Sequence, residues 1–150
     1  MSEYLKLLRF YFLLLALFTI GRWALGFAGV EYDKGHHVFS IVILSLIASA
    51  HHAAFARAFR GWGLRQALVL GALVGLSSQV VIWLSTALSY GTGLETFFNA
   101  PRALNVEQPV GFAQAMVGRS ITLVANTVTN AIAGLIGWAM GAVLPRTASA

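Results

Sequence analysis

Cysteine is absent from the 150 residues of this sequence, and charged residues make up only 10% of them. Without cysteine the chain can form no disulfide framework, no catalytic thiolate and no thiolate metal site. Soluble domains carry roughly 25% charged residues and keep a large share of their surface in water. The shortage of charge, with 58% hydrophobic residues, therefore excludes an ordinary water-soluble domain and indicates lipid as the solvent.

Long apolar runs are plentiful, and a membrane-spanning helix needs about 20 largely apolar residues. The segments that meet this length are about 7–30, 37–59, 66–90 and 117–144. Short polar connections make consecutive helices antiparallel neighbours. The sequence predicts one domain over 1–150, with an all-α fold. We expect an integral membrane four-helix antiparallel bundle.

The third connection, over about 91–116, is longer than the others. Pro101 and Pro109 disfavour a continuous helix through it. Its aromatic pair, Phe97 and Phe98, makes it too apolar for a plain solvent loop. We expect part of this connection to lie in the headgroup region of the bilayer.

Basic residues are concentrated at the two termini and in the second connection. They are Lys6, Arg9, Arg57, Arg60, Arg65 and Arg146. Lys and Arg in short connections stay on the cytoplasmic side, which predicts both termini inside, in a plasma or inner membrane. The net charge of +5 is then a topology signal that attracts anionic lipid. We expect the lipid bilayer as a partner and no nucleic acid.

The fourth predicted helix carries a polar stripe. Arg119, Thr122, Asn126 and Asn130 follow steps of three and four residues, which places them on one face. Polar amides are costly against lipid, so this face must contact protein or water. The favoured interpretation is a packing seam with hydrogen bonds between helices, and the alternative is a polar conduit or substrate contact.

Spaced glycines occur on two of the predicted helices. Gly71 and Gly75 form a GxxxG pattern on the third, and Gly137 and Gly141 form one on the fourth. Small residues at this spacing let helix backbones approach closely, within one chain or between chains. We expect the third and fourth helices to pack on each other through these faces.

The four histidines, His36, His37, His51 and His52, all fall on the second predicted helix. His37 and His51 are separated by about 21 Å along a helix axis, near one face. That spacing would suit two stacked b-type haems, but a partner subunit or a symmetric dimer would have to supply the opposing histidines. Interfacial histidines without a ligand are favoured, with copper, zinc or a proton relay as further alternatives. We expect no cofactor.

Arg22 interrupts the first apolar segment. A charge within the membrane is a functional-site candidate by default. Arginine can also extend its head group to the interface, where Glu31 or Asp33 could pair with it. An anion-binding role shared with Arg102 or Arg119 is the alternative.

The leading functional prediction is a small non-catalytic membrane subunit or scaffold that acts through helix packing. It would work in a homo-oligomer or with other membrane subunits. The first alternative is a small channel or transporter with a polar path on the fourth helix. The second is a haem- or metal-binding electron-transfer subunit that uses the histidines. No nucleophile–base pair or nucleotide motif occurs in the sequence, so we expect no enzymatic activity. No motif is specific enough to assign a family.

Overall fold

The computed structural model describes residues 3–144 of the chain. Within this range the protein is all-helical and contains no β-strand. The elements in chain order are α1 (Glu3–Phe27), α2 (Tyr32–Gly35), α3 (Ile41–Arg60), α4 (Leu64–Thr92), a 3₁₀ turn (Pro101–Leu104) and α5 (Phe112–Met140). Arg146, which contributes to the charge pattern described above, lies outside the described residues.

Four of these helices are long and apolar enough to cross a membrane: α1 with 25 residues, α3 with 20, and α4 and α5 with 29 each. Their most apolar windows have mean hydropathies between 1.3 and 2.1. About 20 residues span the roughly 30 Å of hydrocarbon. The four predicted spanning segments therefore correspond to four long apolar helices in the described part of the chain.

The helix ends differ from the predicted ones where caps decide them. Helix α3 begins at Ile41, four residues later than predicted, because the Ser40 hydroxyl accepts a hydrogen bond from the Ile43 amide at 3.4 Å. Its last residue is Arg60, and Gly61 caps it with a φ of 67°, which suits glycine. Helix α5 begins at Phe112, five residues earlier than predicted, after an extended Gly111.

Small residues bring α5 against both α4 and α3. A Cβ on Gly75 would meet the Asn130 Cβ at 2.7 Å, and one on Gly134 would meet the Ala67 carbonyl oxygen at 2.8 Å. On the α3 side, a Cβ on Gly141 would meet the Ala54 carbonyl oxygen at 2.6 Å. Backbone also lies directly against backbone at Gly75, where a Cβ would meet the Thr127 Cα at 2.9 Å. Helices α3, α4 and α5 therefore form the tightly packed part of the fold.

Helix α1 packs at the edge of this group through larger side chains. Leu8, Tyr11 and Leu15 are buried, and the Tyr11 hydroxyl donates a hydrogen bond to the Val74 carbonyl oxygen at 2.9 Å. Only 17% of its most apolar window is buried. Most of the surface of α1 is therefore exposed.

One end of the molecule is covered by two connecting segments, 28–40 and 93–111, which we call the loop end. They contact each other through Arg102 and Asp33, with Nε and Oδ2 3.4 Å apart. Gly26 allows the second segment to approach α1, since a Cβ there would meet the Thr96 Cα at 2.9 Å. The apolar connection thus folds back over the helices, and this cover positions the site described next.

Candidate functional site

The predicted polar stripe of α5 divides into two parts. Asn130 is fully buried among the helices, where its Oδ1 accepts a hydrogen bond from the Ser49 hydroxyl at 2.8 Å. Its Nδ2 donates to the Asn126 carbonyl oxygen at 2.9 Å. Arg119 lies three turns away at the loop end. Thr122 and Asn126 lie between these ends and are half-buried.

The spaced glycines lie at contacts between helices of the same chain. Gly71 faces the Asn130 carbonyl and the Ala131 Cα, and Gly137 faces the Ala50 backbone. A Cβ at either position would overlap main-chain atoms that cannot rotate away. Gly71 on α4 thus packs on α5, but Gly137 on α5 and its C-cap residue Gly141 pack on α3 and not on α4, the helix expected to receive them. The close-packing surfaces on α4 and α5 are therefore occupied within this chain.

Arg22 is 8% exposed, and its guanidinium group is surrounded by aromatic rings at the loop end. Its Cζ is 5.3 Å from the ring centroid of Phe97 and 5.8 Å from those of Tyr32 and Phe98. Its Nη1 donates to the His36 carbonyl oxygen at 3.2 Å. Ring faces stabilise a desolvated cation by up to about 2 kcal/mol, which helps to offset the roughly 2.5–3.5 kcal/mol cost of placing arginine in a membrane.

Arg119 is fixed by two hydrogen bonds at the same end. Its Nε donates to the Thr86 hydroxyl at 3.0 Å and its Nη2 donates to the Phe98 carbonyl oxygen at 2.7 Å. Phe98 therefore contacts both arginines, one through its ring and the other through its carbonyl. Helix α4 and the segment 93–111 at the loop end therefore together set the position of the Arg119 side chain, which α5 carries.

Arg22 and Arg119 both line one cavity of about 220 Å³, which we call the arginine cavity. Its polar wall consists of Arg22, Tyr32, His36, His37, Ser40 and Arg119. Ile41, Val42 and Ile82 belong to its apolar wall, and no Asp or Glu is among its lining residues. Two arginines and several residues with donor groups thus line a common space without an acidic residue, a composition suited to binding an anionic group.

The acidic side chains nearest in sequence are engaged elsewhere. Glu31 pairs with Lys34, Oε2 to Nζ at 2.8 Å, and Asp33 pairs with Arg102; all four side chains are well exposed. Among residues 3–144, neither of these acids nor any other lies within 4.0 Å of a nitrogen of Arg22 or Arg119. Arg22 therefore has aromatic rings and a carbonyl as neighbours in place of the predicted ion pair.

The histidines do not share one helix. His36 and His37 precede α3, with ring centroids 3.7 Å apart, and both line the arginine cavity. His51 and His52 lie within α3, where the His52 Nδ1 is 2.8 Å from the Ala48 carbonyl oxygen. In the part of the chain that the structure describes, no three His, Cys, Asp or Glu side chains gather as a metal-ligand set.

Sequence reasoning missed the residues that hold the two arginines. Thr86 is one of several polar residues on α4, and Phe97 and Phe98 indicated only an apolar connection. Tyr32 and Phe97 also line a second cavity of about 410 Å³ at the loop end, beside the last turn of α1. The useful signal was the apolar character of the connection, because aromatic residues beside a membrane arginine can surround it.

Comparisons with known proteins give no relative for this chain. No family model, no curated protein and no solved structure matches it. The class defined by the fold is therefore a small all-helical protein with four helices able to cross a membrane.

Proposed function

We propose that this protein is a non-catalytic membrane protein that binds the anionic headgroup of a membrane amphiphile in the arginine cavity. The observation that carries the proposal is the pair Arg22 and Arg119, which line one cavity without a carboxylate. Like charges that share a confined space repel each other. An anion between them would remove this repulsion and accept hydrogen bonds from both side chains.

The proposal includes a topology. The helices form an antiparallel bundle with both termini in the cytoplasm, in a plasma or inner membrane. The support is the concentration of Lys and Arg at the termini and in the connection between α3 and α4. In this orientation the loop end and the arginine cavity belong to the outer half of the bilayer.

The depth of the arginines favours a lipid headgroup over a soluble anion. Arg22 lies about 8 Å from the end of α1, and Arg119 about 10 Å from the start of α5. The two helices are roughly 38 and 44 Å long, so their ends extend beyond the roughly 30 Å of hydrocarbon. With each helix centred on the hydrocarbon, the Cα atoms of both arginines lie within about 5 Å of its boundary, within reach of lipid headgroups for a side chain of this length.

The cavity wall also offers a place for an apolar tail. Val42 lines the cavity and is 36% exposed on the outer surface of α3. Ile41 and Ile82 add apolar surface beside the charged groups. A ligand with an anionic head and a hydrocarbon body matches this combination better than a small hydrated ion does.

A conduit along α5 has less support than binding. Asn130 donates to and accepts from neighbours of its own chain, and Gly75 packs directly on it. A path along the stripe would have to pass this contact. A subunit role remains part of the proposal, but it needs a surface other than the glycine faces, which are occupied within the chain.

Thermal unfolding in a mild uncharged detergent tests the binding role. Short-chain phosphatidylglycerol, phosphatidylcholine of the same chain length and inorganic phosphate are titrated separately. A ligand at 100 times its Kd stabilises a protein by about 2.7 kcal/mol, or roughly 5–10 °C for a chain of this size. We expect this shift with phosphatidylglycerol, and not with the other two.

The variants Arg22→Gln and Arg119→Gln should reduce the shift, whereas Arg102→Gln should not. Arg102 is the matched control because it lies at the same end, is exposed and pairs with Asp33. An equal shift with inorganic phosphate would assign the cavity to a soluble anion. An equal shift in all four proteins, or none with any ligand, would refute binding in the arginine cavity.

A further inference from the structure

An apolar stripe on the exposed side of α3 is interrupted by a histidine. The stripe runs at steps of four residues through Ile43, Ile47, His51, Phe55 and Phe59, all of which are exposed. Ile47 is 63% exposed, the highest value among the large apolar side chains of this helix. His51 is ten residues from the first residue of α3 and nine from the last. Its imidazole therefore lies close to the middle of a helix that is just long enough to cross the hydrocarbon.

The position of His51 is unfavourable if lipid covers it. Among the described residues the one aromatic ring that pairs with its own is that of His52, with centroids 5.4 Å apart, and neither nitrogen of His51 makes a hydrogen bond. His52, by comparison, bonds to the Ala48 carbonyl oxygen. The imidazole is too short to reach the headgroups from the middle of the helix. Polar side chains at this depth almost always face protein or water and pair with a polar group there.

We propose that a second copy of this chain covers the α3 stripe, with His51 hydrogen-bonded to the partner's His51. A second copy inserted in the same orientation carries this residue at the same depth. A two-fold axis along the membrane normal brings the two rings together. A neutral imidazole has one donor and one acceptor nitrogen, so two copies are complementary without any other group.

The surroundings of His51 fit this arrangement. Ile47 and Phe55, one turn to either side, supply large apolar side chains, and none of the five stripe positions is Lys, Arg, Asp or Glu. Like-charge repulsion would therefore not oppose two identical faces. A different membrane protein would need a polar group at this same depth, a condition that a second copy meets automatically. The inference is independent of the arginine cavity, which lies at the loop end.

Cysteine cross-linking in the membrane tests the interface, and the chain offers a cysteine-free background. Ile47→Cys places a thiol one turn from His51. Ile132→Cys, on the exposed side of α5, is the matched control. We expect oxidation to yield a covalent dimer with Ile47→Cys and little with Ile132→Cys, at expression low enough to limit random collision.

The histidine itself is tested in the Ile47→Cys background. Adding His51→Leu removes the hydrogen bond, and adding His51→Asn retains a donor and an acceptor. An interhelical hydrogen bond in a membrane corresponds to a change of roughly 3- to 30-fold in association. We expect cross-linking to fall by that factor with His51→Leu and to survive largely with His51→Asn.

Equal cross-linking at positions 47 and 132, or a yield that His51→Leu leaves unchanged, would overturn the proposal. A cross-linked product with the mass of a different protein would also overturn it. Phosphatidylglycerol binding by the His51→Leu variant should equal that of the unmodified chain. This comparison separates failure of the interface from failure of the arginine cavity.

Discussion

Ser49 of α3 donates a hydrogen bond to Asn130 of α5, with Oγ and Oδ1 2.8 Å apart and both residues fully buried. The two residues are 81 positions apart in sequence, and their contact joins α3 to α5. It also differs from the setting of Asn126, one turn away, which is half-buried and whose side-chain amide makes no hydrogen bond within residues 3–144. Two asparagines on one predicted stripe thus have different environments.

Asn130→Leu should destabilise the fold far more than Asn126→Leu. The first change leaves the Ser49 hydroxyl without its partner and forces a larger side chain against Gly75. We expect a loss of about 2–4 kcal/mol in the free energy of unfolding, and less than about 0.5 kcal/mol for Asn126→Leu. Unfolding in mixed micelles measures both. Equal losses would show that the stripe is not divided as described.

Gly137→Ala should weaken the contact between α5 and α3. A Cβ at this position would overlap the Ala50 backbone, including its Cα at 2.5 Å. Because main-chain atoms cannot rotate aside, the helices must separate, which costs about 1–3 kcal/mol. The fall in unfolding temperature measures the effect.

Gly118→Ala is the control for that prediction. It makes the same change on the same helix, where a Cβ would meet nothing within 4 Å. Alanine is favoured over glycine within a helix by about 0.5–1 kcal/mol, so this variant should be equal to or more stable than the unmodified chain. Similar losses in both variants would contradict close packing as the cause.

Gln79→Met should stabilise the protein. Gln79 is 3% exposed on α4, and within the described range its Nε2 is the one buried side-chain nitrogen or oxygen without a hydrogen-bond partner. Methionine has a similar length and no donor, so the variant should gain about 1 kcal/mol. Gln66→Met should do the opposite, because Gln66 Oε1 accepts a hydrogen bond from the Gly63 amide at the start of α4. Stability changes of the same sign would refute this explanation.

Composition and apolar length were sufficient to predict four long apolar helices, since each crossing needs its own sustained run. The helix ends could not be predicted as well. The run near His37 continues into α3 without a break in hydropathy, yet the Ser40 cap starts the helix at Ile41. The Ser40 cap and the left-handed backbone of Phe39 (φ 50°) together set that boundary, and apolar periodicity carries no information about either.

Of the residues in the candidate site, only the two arginines could be predicted from the sequence. Arg22 and Arg119 are recognisable because a charge within an apolar run is costly. Their common cavity depends on Phe98, which contacts both arginines from a connection between α4 and α5. Such a contact joins residues far apart in sequence, so periodicity within one helix cannot reveal it.

The central claim is that Arg22 and Arg119 jointly hold one anionic headgroup. Native mass spectrometry, after exposure to an equal mixture of phosphatidylglycerol and phosphatidylcholine, counts the lipids retained by each chain. We expect the unmodified protein and Arg102→Gln to retain one phosphatidylglycerol per chain. The double variant Arg22→Gln with Arg119→Gln should retain none above the level of phosphatidylcholine. Equal retention of phosphatidylglycerol by the double variant and by Arg102→Gln would contradict the account.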